Sequence, residues 1–409
     1  MSNQAALGSE SQFKITAALC WLGWVFDFYD LILIAFLIPT IEHGLHMTPA
    51  QSAWLLGIGL GASGIGGILF GWLADLYGRK TVLTLTIILF SLGMLASGFV
   101  HTPLQFFVAR FVTGLGLGGE WAVGHALIAE SVPADRRARW SAFLQSGEPV
   151  GVALAAFIGF MVAPIIGWRA VFMASAVTGL LALMFRRFLQ ESPLWQQSPR
   201  LTSSARFQAL RPFLASYWPL MCLALVLAIF KLGTYWTCYT WLPRFIQQSF
   251  GMAIQKSTLW ILLGQVGQFI GMYLFGMVAD RAGRRWAFTA FSLLTALALA
   301  PLALNWDALF QHQQALFWSL TFLLGLGSGC TAGFGALLAE IFPTAQRTFA
   351  MGTVYNTARG VQVFAPVVVM WAVQRGGIGG GLLVPTTLAL LTAAWVWALP
   401  ERRGTVLEL

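Results

Sequence analysis

Two kinds of ionisable side chain stand in stretches that are otherwise apolar: the carboxylates Asp27, Asp30, Glu120 and Glu148, and the cations Arg110, Lys231 and Arg359. A charge in such a stretch is costly and is a functional candidate by default. A carboxylate taken out of water favours its neutral form and can therefore carry a proton. A guanidinium can grip a carboxylate bidentately. The carboxylates all lie in the first half of the chain, while Lys231 and Arg359 lie in the second. This asymmetry suggests a division of labour, with proton carriers on one side of a cavity and anion-holding cations on the other.

The expected proton-coupling set is Asp27, Asp30, Glu120 and Glu148. Asp27 and Asp30 share a helix face at i, i+3. Glu148 lies in QSGEPVG, where Gly147 and Pro149 loosen a helix. The expected substrate-binding set is Arg359, with Asn356 on its face; Lys231, with Tyr235 one turn on; and Arg110. Competing structural readings stay open. Arg110 and Asp30 could form a permanent pair, Glu120 could brace the Gly114, Gly116, Gly118 packing face, and Lys231 could pair with a first-half carboxylate. His125 reads as a packed residue, and His43 with His46 as no metal pair. No metal or cofactor is expected.

These side chains need elements to hold them. The chain has 409 residues, 58% hydrophobic and 10% charged, with a mean hydropathy of +0.74; soluble domains carry about 25% charged residues. The expected architecture is an all-α integral membrane protein with twelve transmembrane helices near 17–38, 50–72, 81–100, 104–130, 140–163, 168–189, 216–243, 257–279, 286–304, 314–340, 348–373 and 381–400. Counting from Arg139 to Glu148 and from Arg347 to Arg359 at about 1.5 Å per residue puts both side chains roughly 14–18 Å into the bilayer.

Basic residues concentrate in loops on the side of the N-terminus, among them Lys14, Arg79, Lys80, Arg136, Arg137, Arg139, Arg186, Arg187, Arg284, Arg285, Arg347 and Arg402. Only Arg169, Arg244, Lys256 and Arg375 fall on the other side. This bias predicts both termini in the cytoplasm of a multi-pass inner-membrane protein, and it accounts for the net charge of +9 without nucleic acid. No removable signal peptide is expected. Cys20, Cys222, Cys238 and Cys330 all lie inside spans and suggest neither disulfide nor zinc. The Pro- and Ser-containing stretch 190–215 reads as a cytoplasmic linker between a six-helix half at 1–189 and another at 216–409.

The halves repeat. GWLADLYGRK at 71–80 returns as GMVADRAGRR at 276–285, and AESVPADRR at 129–137 returns as AEIFPTAQR at 339–347. Asp75, Arg79, Glu130 and Arg137, with Asp280, Arg284, Glu340 and Arg347, are therefore expected to form charge networks at a cytoplasmic gate. If exposed, each pair would contribute only about 0–1 kcal/mol.

On these motifs the chain resembles the major facilitator superfamily. The resemblance implies two pseudo-symmetric six-helix halves rocking around a midplane site. FDFYDL, RFVTGLGLGGEW, GWR at 167–169 and LQESPLW at 189–195 are similar to the organic-acid and metabolite proton symporters, with the sialate and lactate group nearest and the aromatic-acid and dicarboxylate symporters next. This likeness implies proton-driven uptake of a monocarboxylate, a sialate or a related small organic anion by a protein working as a monomer in the bilayer. Lactate-like members would carry an aromatic or apolar residue where Glu148 stands, which points to a different ligand or coupling site. Alternatives are proton-coupled efflux of amphipathic compounds, which would not need Arg359, and a nutrient sensor without flux. An enzyme is not expected, because the loops offer no nucleophile with a base, nor a metal-ligand cluster.

Overall fold

Helix starts are encoded locally in this chain. In the computed structural model, which describes residues 10–177, 188–198, 203–250, 254–405 and 407, Thr48 and Thr102 each cap a helix. Each hydroxyl accepts from the backbone of a glutamine three residues on, that glutamine's side chain accepts from the threonine's N–H, and a proline follows the cap.

Every regular element among the described residues is helical. Helix 1 is Glu10–Leu45, helix 2 Pro49–Tyr77, helix 3 Arg79–Phe99 and helix 4 Pro103–Ser131. Helix 5 runs as Arg137–Gln145, Gly147–Phe157, a π-helical turn Ile158–Val162 and Ala163–Ile166; the break at Ser146 adjoins the Gly147–Glu148–Pro149 triplet. Helix 6 begins with Trp168–Ser175, and its expected end, with Arg186 and Arg187, lies outside the described residues. Helix 7 lies within Ser203–Phe250, helix 8 is Ile254–Ala282, helix 9 Arg284–Leu304, and helix 10 Gln314–Ser328 continuing to Gly333–Ile341. Helix 11 starts as Arg347–Val361. Helices 11 and 12 share the stretch Ala365–Trp395, bent at Gly376 and at Gly377, whose φ is 63°. Arg200 and the side chains of Arg244 and Lys256 also lie outside the described residues.

The chain is all-α, with twelve membrane helices in two six-helix halves. Nine stretches among the described residues are long and apolar enough to cross a bilayer, the last, Thr344–Ala398, holding helices 11 and 12 together. Helix 4 is not among them; it carries Arg110, Glu120 and Glu130 and is buried along most of its length. Large apolar side chains such as Leu92, Leu297 and Val367 face outward, while Asp27, Arg110, Glu148, Lys231 and Arg359 are buried. Apolar outside and charged inside is the arrangement a lipid solvent selects.

Helix 2 packs on helix 4 in its own half and on helix 11 in the other, and helix 8 likewise packs on helices 10 and 5. The close approach is made by glycine: a Cβ on Gly118 would sit 2.0 Å from the Ser63 carbonyl oxygen, and one on Gly325 would sit 1.9 Å from that of Gly264.

The stretch 190–215 contains more helix than its composition suggests. A short helix, Pro193–Gln197, is capped by Ser192, and the helix that becomes helix 7 begins at Ser203. Leu210, Phe213 and Tyr217 recur at helical spacing, and Phe213 lies edge-on to Phe342 and Phe349, so an apolar face holds this segment against the second half.

Candidate functional site

One face of helix 1 presents Gly23, Trp24, Asp27 and Phe28 at i, i+1, i+4 and i+5. Arg359 of helix 11 lies over this face, its guanidinium carbon 5.6 Å from the Trp24 ring centre and 5.4 Å from that of Phe28. Glu120 of helix 4 packs against Gly23, where a Cβ would meet its Oε1 at 1.8 Å. Glu120 and Arg359 each act electrostatically on Asp27. Asp27 is fully buried with the Glu120 carboxyl as its side-chain hydrogen-bonding neighbour, and Arg359 is 2% exposed with no hydrogen-bond partner at either Nη atom among the described residues. A buried guanidinium without a hydrogen-bond partner is expensive, which makes Arg359 the candidate for an anionic ligand.

Glu148 sits beside that cluster. Its Oε2 accepts from Gln145 Nε2 at 2.8 Å and its Oε1 from Gln268 Nε2 of helix 8 at 2.9 Å. It also interacts with Tyr235 and Arg359. Gln145 Oε1 lies 3.0 Å from the donating Trp121 Nε1 and 3.1 Å from His125 Nε2. The Trp121 ring stacks on Tyr355 of helix 11, centres 3.6 Å apart and nearly parallel at 6°. Tyr235 meets Phe28 edge-on at 6.4 Å. Planar aromatic faces therefore line the region between helices 1, 4, 7 and 11.

The other expected site residues divide. Lys231 is 1% exposed, and its Nζ has no hydrogen-bond partner among the described residues. Arg110 lies instead in a second cluster: both its Nη atoms donate to Asp30, Nη1 at 3.0 Å, with the Phe172 ring 5.6 Å from the guanidinium. Asn356 donates to the Gly118 carbonyl at 2.8 Å, clasping helix 11 to helix 4, while its Oδ1 has no partner among the described residues.

At the helix ends on the side of the N-terminus the two halves are locked together. Glu130 Oε1 accepts from Arg79 at 3.0 Å and from Arg347 of the other half at 2.8 Å. Asp75 pairs with Arg79 at 3.1 Å and accepts from the backbone N–H groups of Thr348 and Phe349 at the start of helix 11. The second repeat reproduces this. Glu340 accepts from Arg284 at 2.7 Å and from Arg137 at 3.0 Å, and Asp280 accepts from the N–H groups of Ala138 and Arg139 at the start of helix 5. The arginine after each Glu thus serves the other half's Glu, an exchange that sequence order does not reveal. The pairs are also buried, at most 6% exposed apart from the Arg139 side chain, so the small magnitude expected of exposed pairs does not apply. Removing one partner of a buried pair costs about 3–5 kcal/mol.

Several participants were not anticipated. Glu191 accepts from the N–H groups of Arg79 and Lys80, and Glu401 does the same for Arg284 and Arg285, so each carboxylate caps the helix that begins within a GR[KR] motif. Burial pushes the Glu191 carboxyl above its ordinary range, opposed by these backbone donors and by Arg79. Leu189-x-Glu191 and Leu399-x-Glu401 form a third repeated landmark that could have revealed them. Ser192 donates to Glu130. Gln145 and Gln268 carried no charge to draw attention.

The family model described as the Major Facilitator Superfamily matches residues 20–266 and 245–408. The chain is 28% identical over 394 residues to the cis,cis-muconate transport protein of Acinetobacter baylyi, covering 94% of this chain and 93% of the relative. It is 29% identical over 367 residues to the sialic acid transporter NanX of Escherichia coli, covering 90% and 89%. Among solved structures it is similar to the proton:xylose symporter XylE bound to 6-bromo-6-deoxy-D-glucose, with a TM-score of 0.82, 19% identity and 98% of each chain covered.

Proposed function

The chain belongs to the major facilitator superfamily and is a multi-pass membrane transporter, and on that premise we propose that it is a proton-coupled symporter of a small organic anion. The observation that carries this reading is the buried Arg359, both of whose Nη atoms lack a hydrogen-bond partner among the described residues, within electrostatic reach of the Asp27 carboxyl. When Asp27 is ionised it competes with an incoming carboxylate for the guanidinium. Protonation, shared with Glu120, removes that competition and frees both Arg359 Nη atoms for the substrate. Proton and anion then favour each other's binding, and the coupling is reciprocal.

Lys231 supplies a second positive charge, and the aromatic walls suit a planar, unsaturated acid. Relatives that move cis,cis-muconate and sialic acid support the carboxylate class. The buried Arg110–Asp30 pair acts as a structural brace, which leaves Asp27, Glu120 and Glu148 as the proton-coupling set. Asn356 holds helix 11 in place. The two four-member networks act as the gate, placed on the cytoplasmic side with both termini by the charge bias, and the protein functions as a monomer in the inner membrane.

A ligand screen by thermal shift on the purified protein, repeated with Arg359→Ala, tests the proposal. One carboxylic acid should stabilise the wild type and not the variant. Losing one side of a buried charged contact costs about 2–5 kcal/mol, or roughly 30-fold to several thousand-fold in affinity. Equal stabilisation of both proteins would remove Arg359 from the site.

A further inference from the structure

Toward the side of the N-terminus, helices 1 and 5 of the first half and helix 8 of the second enclose a crevice of about 550 Å³. It is lined by Lys14, Arg139, Trp140, Phe143, Tyr273 and Met277. Two cations thus share a crevice whose other walls are aromatic or thioether. Lys14 is exposed, and the Arg139 side chain is 44% exposed. The Tyr273 hydroxyl lies 3.3 Å from Ser146 Oγ at the break in helix 5.

We infer that this crevice binds an anionic phospholipid of the adjoining leaflet, its phosphate held by Lys14 and Arg139 and an acyl chain laid along Trp140, Phe143, Tyr273 and Met277. Charge complementarity selects the occupant: basic pockets between membrane helices near the headgroup level recognise anionic headgroups, while the aromatic walls suit the boundary between headgroup and chain. A soluble anion would gain nothing from those walls.

The position gives such a lipid leverage. Arg139 also faces Asp280, its Nε 3.5 Å from Oδ2, while its backbone N–H donates to the same oxygen at 3.1 Å. Asp280 belongs to the network that ties helix 8 to helix 5. The lipid therefore spans both halves and favours the arrangement in which helices 1, 5 and 8 are this close. It is a ligand of one conformational state.

The test uses the full-length protein in detergent and counts retained 1-palmitoyl-2-oleoyl phosphatidylglycerol against the phosphatidylcholine of the same chains by native mass spectrometry. The wild type should prefer the anionic lipid, and Lys14→Ala with Arg139→Ala should weaken that preference by roughly 30-fold. The charge-keeping pair Lys14→Arg with Arg139→Lys should retain it, and excess inorganic phosphate should not displace the lipid. Equal retention of both lipids by the wild type, an undiminished preference in the double alanine variant, loss of preference in the charge-keeping pair, or displacement by phosphate would each overturn the assignment.

Discussion

Glu148 of helix 5 accepts a 2.9 Å hydrogen bond from Gln268 of helix 8, so a buried carboxylate of one six-helix half is held by an amide of the other. If the halves rock against each other, as the proposed symport requires, this bond would break and re-form. Its strength depends on whether the carboxyl is charged, because a charge-assisted hydrogen bond is roughly twice as strong as a neutral one. On the proposed mechanism, proton occupancy at Glu148 would thereby be tied to the conformational equilibrium.

Glu148→Gln keeps a hydrogen-bonding side chain of the same size and removes the titration. The variant should exchange substrate across proteoliposomes with no gradient imposed, yet fail to accumulate it when a proton gradient is applied. Gradient-driven accumulation at the wild-type level would show that Glu148 does not couple the proton.

Asp27→Asn removes the carboxylate proposed to compete for Arg359, which acts on it electrostatically. In the wild type, anion affinity should fall as pH rises and Asp27 ionises. In the variant it should be tighter and lose most of that dependence. Ligand-induced thermal shifts measured across pH would reveal this, and parallel pH profiles for the two proteins would sever the proposed link.

Arg110→Ala leaves Asp30 as a charge fully buried without its partner. A loss of about 3–5 kcal/mol of stability is expected, partly recovered when Asp30→Asn is added. Ligand affinity of the folded variant should be unchanged. A selective loss of ligand binding with normal stability would return Arg110 to the substrate site.

Gly78 has φ of 99°, and an added Cβ there would lie 2.3 Å from Glu191 Oε2; Gly167, at φ 81°, has nothing within 4 Å of such an atom. Both alanine variants carry backbone strain of order 1–3 kcal/mol. Gly78→Ala also disturbs the Glu191 cap of helix 3 and should lower the melting temperature further than Gly167→Ala. Equal shifts would mean that the cap contributes little.

The fold is legible in the sequence because lipid leaves few options: apolar runs of this length must be helices, and the doubled GxxxDxxGR[KR] pattern marks the two halves. The candidate site residues are legible as types, since Asp27, Glu120, Glu148, Lys231 and Arg359 are conspicuous in apolar surroundings. Their partners are not. Whether Glu130 takes Arg137 or Arg347 depends on how helix 11 meets helix 2, and whether Asn356 faces a cavity or the Gly118 carbonyl depends on glycine contacts between helices 4 and 2. The helix at Ser203–Tyr217 was hidden by its polar residues, although Leu210, Phe213 and Tyr217 already carried the period of a packed face.

Proton-driven anion uptake through Arg359 is tested by following labelled benzoate, lactate and sialate into proteoliposomes under an inward proton gradient, wild type beside Arg359→Ala. The wild type should concentrate at least one of these acids, collapsing the gradient should abolish the concentration, and the variant should show none. Undiminished gradient-driven accumulation by Arg359→Ala, or wild-type accumulation indifferent to the gradient, would contradict proton-driven uptake through Arg359.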